Sequence, residues 1–308
     1  MSDLVLRRDL TMRRRSRTLR VVQQFAVAPM LAILCLCASG CVMPSYKYGR
    51  FKDATQPFSV DARNHVTRDS RNHPVLNQLE VMIHTPIEAV LGHVGLGNPD
   101  TRPRSAQMAD TLDGTLEYLA ENRLEDVVID IRRYSPRTQW GRLRANRQVA
   151  PIWKYTLGSV YWAVETVIPA RAFRYSYYNP FTNTLALNSI WHEWNIYEAA
   201  KAKDFLGVRD PGLYAVILHV PFAPIYQEIR VGTDSLTYAR SKGDLELELA
   251  LYPFVYGEVF GGTVEEAAFL VPGLSSLHEA AGPLIWASCF ATGYAIGTAI
   301  TESEYVGH

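Results

Sequence analysis

Tyr177-Tyr178-Asn179-Pro180-Phe181-Thr182-Asn183-Thr184-Leu185-Ala186-Leu187 is the stretch on which the reading of the fold depends. Residues Tyr177 to Thr184 read as a turn, since two asparagines and a proline accept tight backbone geometry. Leu185-Ala186-Leu187 reads as a short strand. A helix is expected from about Ile190 to Phe205, stopping near Gly207 and Pro211. Working upstream, Ile152 to Val167 reads as a long aromatic core helix, and Trp140 to Asn146 as a basic helix. Val127-Val128-Ile129-Asp130-Ile131 is the clearest strand, and Thr111 to Asn122 an amphipathic helix with Leu112, Leu116 and Leu119 on one side. Gly95 to Asp100 reads as a loop, and Pro86 as a break or helix start within Leu76 to Gly92. Working downstream, Leu213 to Gln227 is apolar and interrupted by Pro221 and Pro224. Leu236 to Leu251 and Ala267 to Ala281 are further helices, separated by a Gly257-Gly261-Gly262 loop. Few short strands among many helices predict an α+β, predominantly helical fold with a short sheet packed on helices.

The order of turn, strand and helix, with Glu198-Ala199-Ala200-Lys201-Ala202-Lys203-Asp204-Phe205 on the helix, resembles bacterial envelope proteins related to zincin metallopeptidases. In that family a similar Asn-Pro-Phe-Thr-Asn-Thr strand leads into a helix reading His-Glu-x-x-His-Ala-Lys-Asp-Phe. The match covers roughly residues 125 to 260, with Leu251-Tyr252-Pro253 and the glycines that follow as weaker support. The resemblance implies a zincin-like sheet and a zinc-dependent peptidase mechanism. Two histidines four apart on one helix face bind the ion, and the glutamate between them takes a proton from the metal-bound water. Matched residue by residue, Glu198 stands at the general base, Tyr197 and Lys201 at the two histidines, and Glu228 at the third ligand.

That departure removes the ordinary chemistry. An ammonium has no lone pair to donate and a protonated tyrosine is a poor zinc ligand. No metal or other cofactor is therefore expected, and zinc belongs only to an alternative in which non-standard ligands such as His192, Glu198 and His219 rebuild a site. Lys201 is expected to neutralise Glu198, three residues away on the helix, and Glu228. The blander expectation is a solvated pair worth a few tenths of a kcal/mol. In zincins the strand before the active helix pairs with substrate backbone, so Thr184 to Asn188 is the expected docking edge for a peptide. His84 and His93 are isolated among apolar residues. Ser275-Ser276 near His278 makes no triad by adjacency alone, and no nucleophile elbow, phosphate loop or dinucleotide fingerprint is present.

The amino terminus reads as an export signal. Arg13, Arg14, Arg15, Arg17 and Arg20 precede an apolar run from Phe25 to Cys37. Ala38-Ser39-Gly40-Cys41 then resembles a lipobox, with Ala38 where leucine is commoner. This resemblance implies that residues 1–40 are removed, with Met1 or Met12 as the start. Cys41 would carry the lipid, palmitate among its acyl chains. An uncleaved anchor helix from Phe25 to Met43 and an ordinary cleaved signal remain open. Val42 is not the aspartate associated with inner-membrane retention in enteric bacteria. The expected location is therefore the cell envelope, at the outer membrane facing the periplasm, with membrane attachment through the lipid. Residues 41–75, polar and turn-rich, read as a tether, and 76–308 as a single globular domain.

Residues 1–40 hold seven Arg and two Asp, so of 31 basic and 31 acidic residues the remaining 268 keep 24 and 29. A net charge of −5 gives nucleic acid no electrostatic reason to bind. Of four cysteines only Cys289 lies in the body, so no intrachain disulfide forms there. Residues 282–301 carry no charge and space small residues four apart, Gly293 and Gly297 among them. That segment is read either as a buried apolar helix or as a membrane span. The function expected is a catalytically inactive, lipid-anchored envelope protein whose cleft binds a peptide or protein partner. An active metal-dependent peptidase and a structural membrane protein are the alternatives.

Overall fold

The computed structural model of the protein describes residues 44–58, 64–69, 73–93, 104–270 and 290–302. Four short strands, β1 (Val66–Arg68), β2 (Val128–Ile131), β3 (Tyr177–Asn179) and β4 (Thr184–Leu187), make one sheet in the order β1-β2-β4-β3. β2 runs parallel to both β1 and β4, whereas β3 is antiparallel to β4 with Tyr178 opposite Leu185. The helices are α1 (Pro74–His93), α2 (Arg104–Glu121) and α3 (Pro136–Ala145). Next comes α4, a continuous helical run of Pro151–Trp153, a π-helical turn Lys154–Gly158, and Ser159–Val167. Then follow α5 (His192–Leu206), α6 (Pro211–Ile217), α7 (Ala223–Lys242) and α8 (Leu245–Leu270), and a last helix, α9, covers 290–302. The predominantly helical α+β class is the one expected.

Local chemistry explains why the quoted stretch turns where it does. The Asn179 side chain accepts from the backbone of Phe181 at 2.9 Å and Thr182 at 3.3 Å, closing the turn after β3. Asn183 takes a left-handed conformation, φ 48°, which asparagine tolerates better than most residues. Its side chain is held by the Tyr178 hydroxyl and by Asp126 O. Phe181 at the tip is fully buried, and Gly158 in α4 gives it room: a Cβ there would lie 3.0 Å from the ring. Tyr177–Asn179, read above as part of the turn, is thus the outer strand of a hairpin. β4 lies between β2 and β3 and is buried along its whole length.

Three expectations are corrected. Residues 41–75 are not a free tether where they are described. Tyr46 and Tyr48 are each 6% exposed and belong to the hydrophobic core, and Val66–Arg68 is a sheet strand. Tyrosines in a polar stretch keep enough apolar surface to be drawn inside when their hydroxyls find partners. The glycines at 257, 261 and 262 do not form a loop, because α8 runs through them. A Cβ on Gly257 would lie 2.8 Å from the Phe290 ring, so the missing side chain serves close packing of α9. Thirdly, α4 is not a core helix: Ile152, Val160, Val164 and Val167 are exposed.

Other boundaries shift less. α1 continues through Pro86. The apolar run from Leu213 splits into α6 and α7 at Phe222, whose φ is 68°. Gly243, also left-handed, separates α7 from α8. On α9, Gly293 and Gly297 face α8, where added Cβ atoms would lie 2.3 Å from Tyr256 O and 2.5 Å from Pro253 Cα. Within the described part of 282–301 the small residues therefore bring two helices of the same chain together. Among the described residues no helix is long and apolar enough to cross a membrane. The signal segment, Cys41, the Gly95 to Asp100 loop, Ser275, Ser276, His278 and Cys289 lie outside the described residues.

Candidate functional site

α5 is the central helix. It follows β4 through a short connection whose backbone N–H groups at Asn188 and Ser189 donate to the buried Ser176 hydroxyl, at 3.0 and 2.9 Å. From Asn195 to Leu206 the helix is buried on nearly every side, and Ala199, Ala200 and Ala202 let its neighbours approach closely. Charged residues on such a helix need partners. The two lysines, two positions apart, find theirs on opposite faces.

On one face, Glu198 is 2% exposed. One carboxylate oxygen accepts from the Tyr178 backbone N–H at 2.9 Å, and the other meets Lys201 Nζ at 3.1 Å. Lys201 Nζ lies 3.3 Å from Glu228 on α7, and the Tyr197 hydroxyl donates to the other Glu228 oxygen. The ammonium also lies 5.0 Å from the Tyr197 ring centroid. Tyr197, Glu198, Lys201 and Glu228, named from sequence, therefore converge. The pair is not a solvated one, because Glu198 and Lys201 have only 3% and 15% of their side chains exposed.

A third carboxyl, Glu258 on α8, completes the cluster. Burial pushes it up to about 8, Lys201 opposes that rise, and Glu228 and Glu198 add to it. Burial raises Glu198 as well, with Lys201 and the Tyr178 N–H acting against it. For Lys201, burial alone would lower the pKa, but Glu198 and Glu228 outweigh it and hold the ammonium well above its ordinary range. Lys201 is accordingly a cation held between Glu198 and Glu228, beside a Glu258 carboxyl whose protonated form burial favours. Sequence reading missed Glu258 because its segment was assigned to a glycine loop; continued helical periodicity through Val255 and Val259 was the available signal.

Zinc does not fit this donor set. It needs three or four N, O or S ligands at about 2 Å, and here an ammonium fills the space between the carboxylates. The histidines do not compensate. His192 packs against α2, where a Cβ on Gly114 would lie 2.4 Å from its Nε2, and burial lowers its pKa. His219 contacts Ala215 O and lies 6.2 Å from the Tyr161 ring. No group of three or more His, Cys, Asp and Glu among the described residues is placed to hold a metal ion.

The expected docking strand is also corrected. Thr184–Leu187 is paired on both sides, so the sheet edge next to it belongs to β3. Tyr178 points its N–H away from β4, and Glu198 already accepts it. Beside this edge Tyr175 stacks on Tyr177 at 6.3 Å and meets Trp194 edge-on at 5.0 Å, with Trp191 a further 6.2 Å along. Tyr175 is 38% exposed, and its ionisation, raised mainly by burial, is also influenced by Lys201, Glu198, Glu258 and Glu228. An aromatic rim thus borders the charged cluster.

The opposite face of α5 has a structural task. Lys203, 1% exposed, donates to both Asp234 oxygens, to Tyr46 OH at 2.9 Å and to Lys47 O at 2.6 Å. Tyr118 OH donates to Asp234 at 2.6 Å, and Tyr46 OH to Asn122 at 3.0 Å. This network ties residues 44–58 onto α2, α5 and α7. Asp204 accepts from Tyr214 OH at 2.6 Å and pairs with Arg230 at 2.7 Å, linking α6 and α7. Of the stretch from Tyr197 to Phe205, then, the second half holds the fold together.

No protein-family model matches the chain, and no curated protein or solved structure matches it at a significant level.

Proposed function

We propose that this chain is a lipid-anchored protein of the cell envelope, built like a metallopeptidase but not catalytic, with Lys201 in the position of the lost ion. The observation that carries the reading is the placement of Lys201 Nζ between Glu198 and Glu228. A single fixed charge there supplies the cationic centre that two inward carboxylates require, without a Lewis acid to activate water. Glu198 would be a structural acceptor for the β3 edge rather than a general base. The aromatic rim of Tyr175, Tyr177 and Trp194 is the surface we assign to a peptide or protein partner. The anchor is Cys41, the membrane is the outer one, and the domain faces the periplasm.

Two measurements test this. Metal analysis of the purified protein is expected to find no stoichiometric zinc; one zinc per chain, with peptidase activity abolished by Glu198→Gln, would establish an active enzyme instead. Cys41→Ser is expected to be exported yet to lose membrane attachment. Tight attachment surviving alkaline extraction would favour an anchor helix.

A further inference from the structure

The outward face of α4 carries few of the groups that water solvates. Thirteen of the twenty exposed large apolar side chains of the described residues lie between 152 and 173 or between 213 and 226, on α4, α6 and their flanks. Val164 and Val167 are 53% and 79% exposed, and Val220 and Phe222 extend the surface beyond α6. The two helices meet where Gly212 lies against Trp153, and the groove between them is lined by Leu157, Ala163 and Val216. Both charged residues of α4 turn inward. Lys154, 8% exposed, donates to Arg144 O, and Glu165 accepts from Asn179 on β3. Covering the outward face of α4 would therefore desolvate no charged side chain of that helix, and exposed apolar surface of this kind marks a partner or a membrane.

The surroundings favour the membrane. α3 packs on α4 through Trp140 and Trp162, 4.9 Å apart. On α3 and just beyond it, Arg137, Arg144 and Arg147 are exposed, as is Arg209 ahead of α6. None of the four makes an ion pair among the described residues. An apolar helical face with aromatics at its margin and unpaired arginines beside it is the pattern of an interfacial surface on anionic lipid. The amino-terminal segment passes near the start of α4. Arg50 pairs with Asp126 at 3.9 Å, and the Asp126 carboxylate also accepts from Gln148, just before α4. We infer that α4 and α6 rest on the surface of an anionic bilayer, with the Arg137, Arg144, Arg147 and Arg209 side chains at the headgroups.

Site-specific photo-crosslinking tests this. Full-length protein carrying a photoreactive phenylalanine at Val164, Ile217 or Glu246 is reconstituted into bilayers of phosphatidylethanolamine and phosphatidylglycerol, then irradiated. Glu246 is the control, lying beyond the far end of α7, a helix about 30 Å long. Lipid adducts at Val164 and Ile217 should exceed those at Glu246 at least fivefold. They should fall at least threefold in an Arg137→Glu/Arg144→Glu/Arg147→Glu chain, or when phosphatidylcholine replaces phosphatidylglycerol. Equal yields at the three positions overturn the inference, as do yields indifferent to both lipid and arginine charge. Covalent dimers in place of lipid adducts would give this face to a second copy and overturn it too. The readout compares positions within one attached chain, so it stands apart from the release of Cys41→Ser that tests the anchor.

Discussion

Replacing Lys201 by methionine keeps the length of the side chain and removes its charge. Glu198 and Glu228 then face each other on a helix-packed interior with no cation between them. Removing one partner of a buried pair costs about 3–5 kcal/mol. Lys201 and Glu228 each keep 15% of their side chains exposed, and water there recovers part of the loss. About 2–4 kcal/mol is therefore expected at pH 8. The carboxylates can also escape by protonation, since each pKa unit of rise is worth about 1.4 kcal/mol. The loss should accordingly shrink by half or more at pH 5. Urea unfolding followed by tryptophan fluorescence at both pH values measures it. Adding Glu228→Gln should restore more than about 1 kcal/mol at pH 8, because one of the stranded charges is gone. A loss below about 0.5 kcal/mol, equal at the two pH values and indifferent to Glu228→Gln, would refute the reasoning and return Lys201 to the class of surface ion pairs.

Glu258, Glu193 and Glu165 have folded pKa values raised to about 8, 7 and 7, in each case chiefly by burial. An acid raised on folding stabilises fully below its unfolded pKa and loses that contribution as pH climbs through its folded value. Thermal stability should thus decline from about pH 4.5 to 8, and Glu258→Gln should flatten the curve and exceed the parent by more than about 1 kcal/mol at pH 8.5; an unchanged slope excludes Glu258 as a source. Lys203→Met breaks the network holding Tyr46 and should cost about 3–5 kcal/mol, with faster hydrogen exchange at residues 44–58. Protection there equal to the parent's would contradict the docking role. Tyr197→Phe leaves one Glu228 oxygen without its hydroxyl donor and should cost about 1–2 kcal/mol, measurable in the same urea series; a neutral outcome would mean that Lys201 alone satisfies Glu228.

Much of the candidate site could be read from spacing. Asn179 and Asn183 mark a turn because their side chains bond the local backbone, and this needs no distant partner. The three-residue step from Glu198 to Lys201 puts both on one face of any helix that contains them. The convergence of Glu228 was anticipated only through a resemblance, and Glu258 not at all. Glycines at 257, 261 and 262 look like a break to any local reading, yet Phe290, more than thirty residues away, fills the space beside Gly257 and the helix continues.

Turns, short strands and a helix are local properties: they follow from backbone conformation and from the apolarity of a few consecutive residues, which the chain carries wherever it lies. Whether a group is buried depends on what packs over it, and composition misled here in both directions. Polar residues 44–58 contain two core tyrosines because Lys203 and Asp234 are there to receive Tyr46. Apolar α4 is exposed because no described element covers it. The same holds for Lys201. As a helix residue it is one end of a modest i,i+3 pair; with α7 and α8 laid against α5 it becomes the cation of a site with three carboxyls, since only that packing removes the water that would have solvated them.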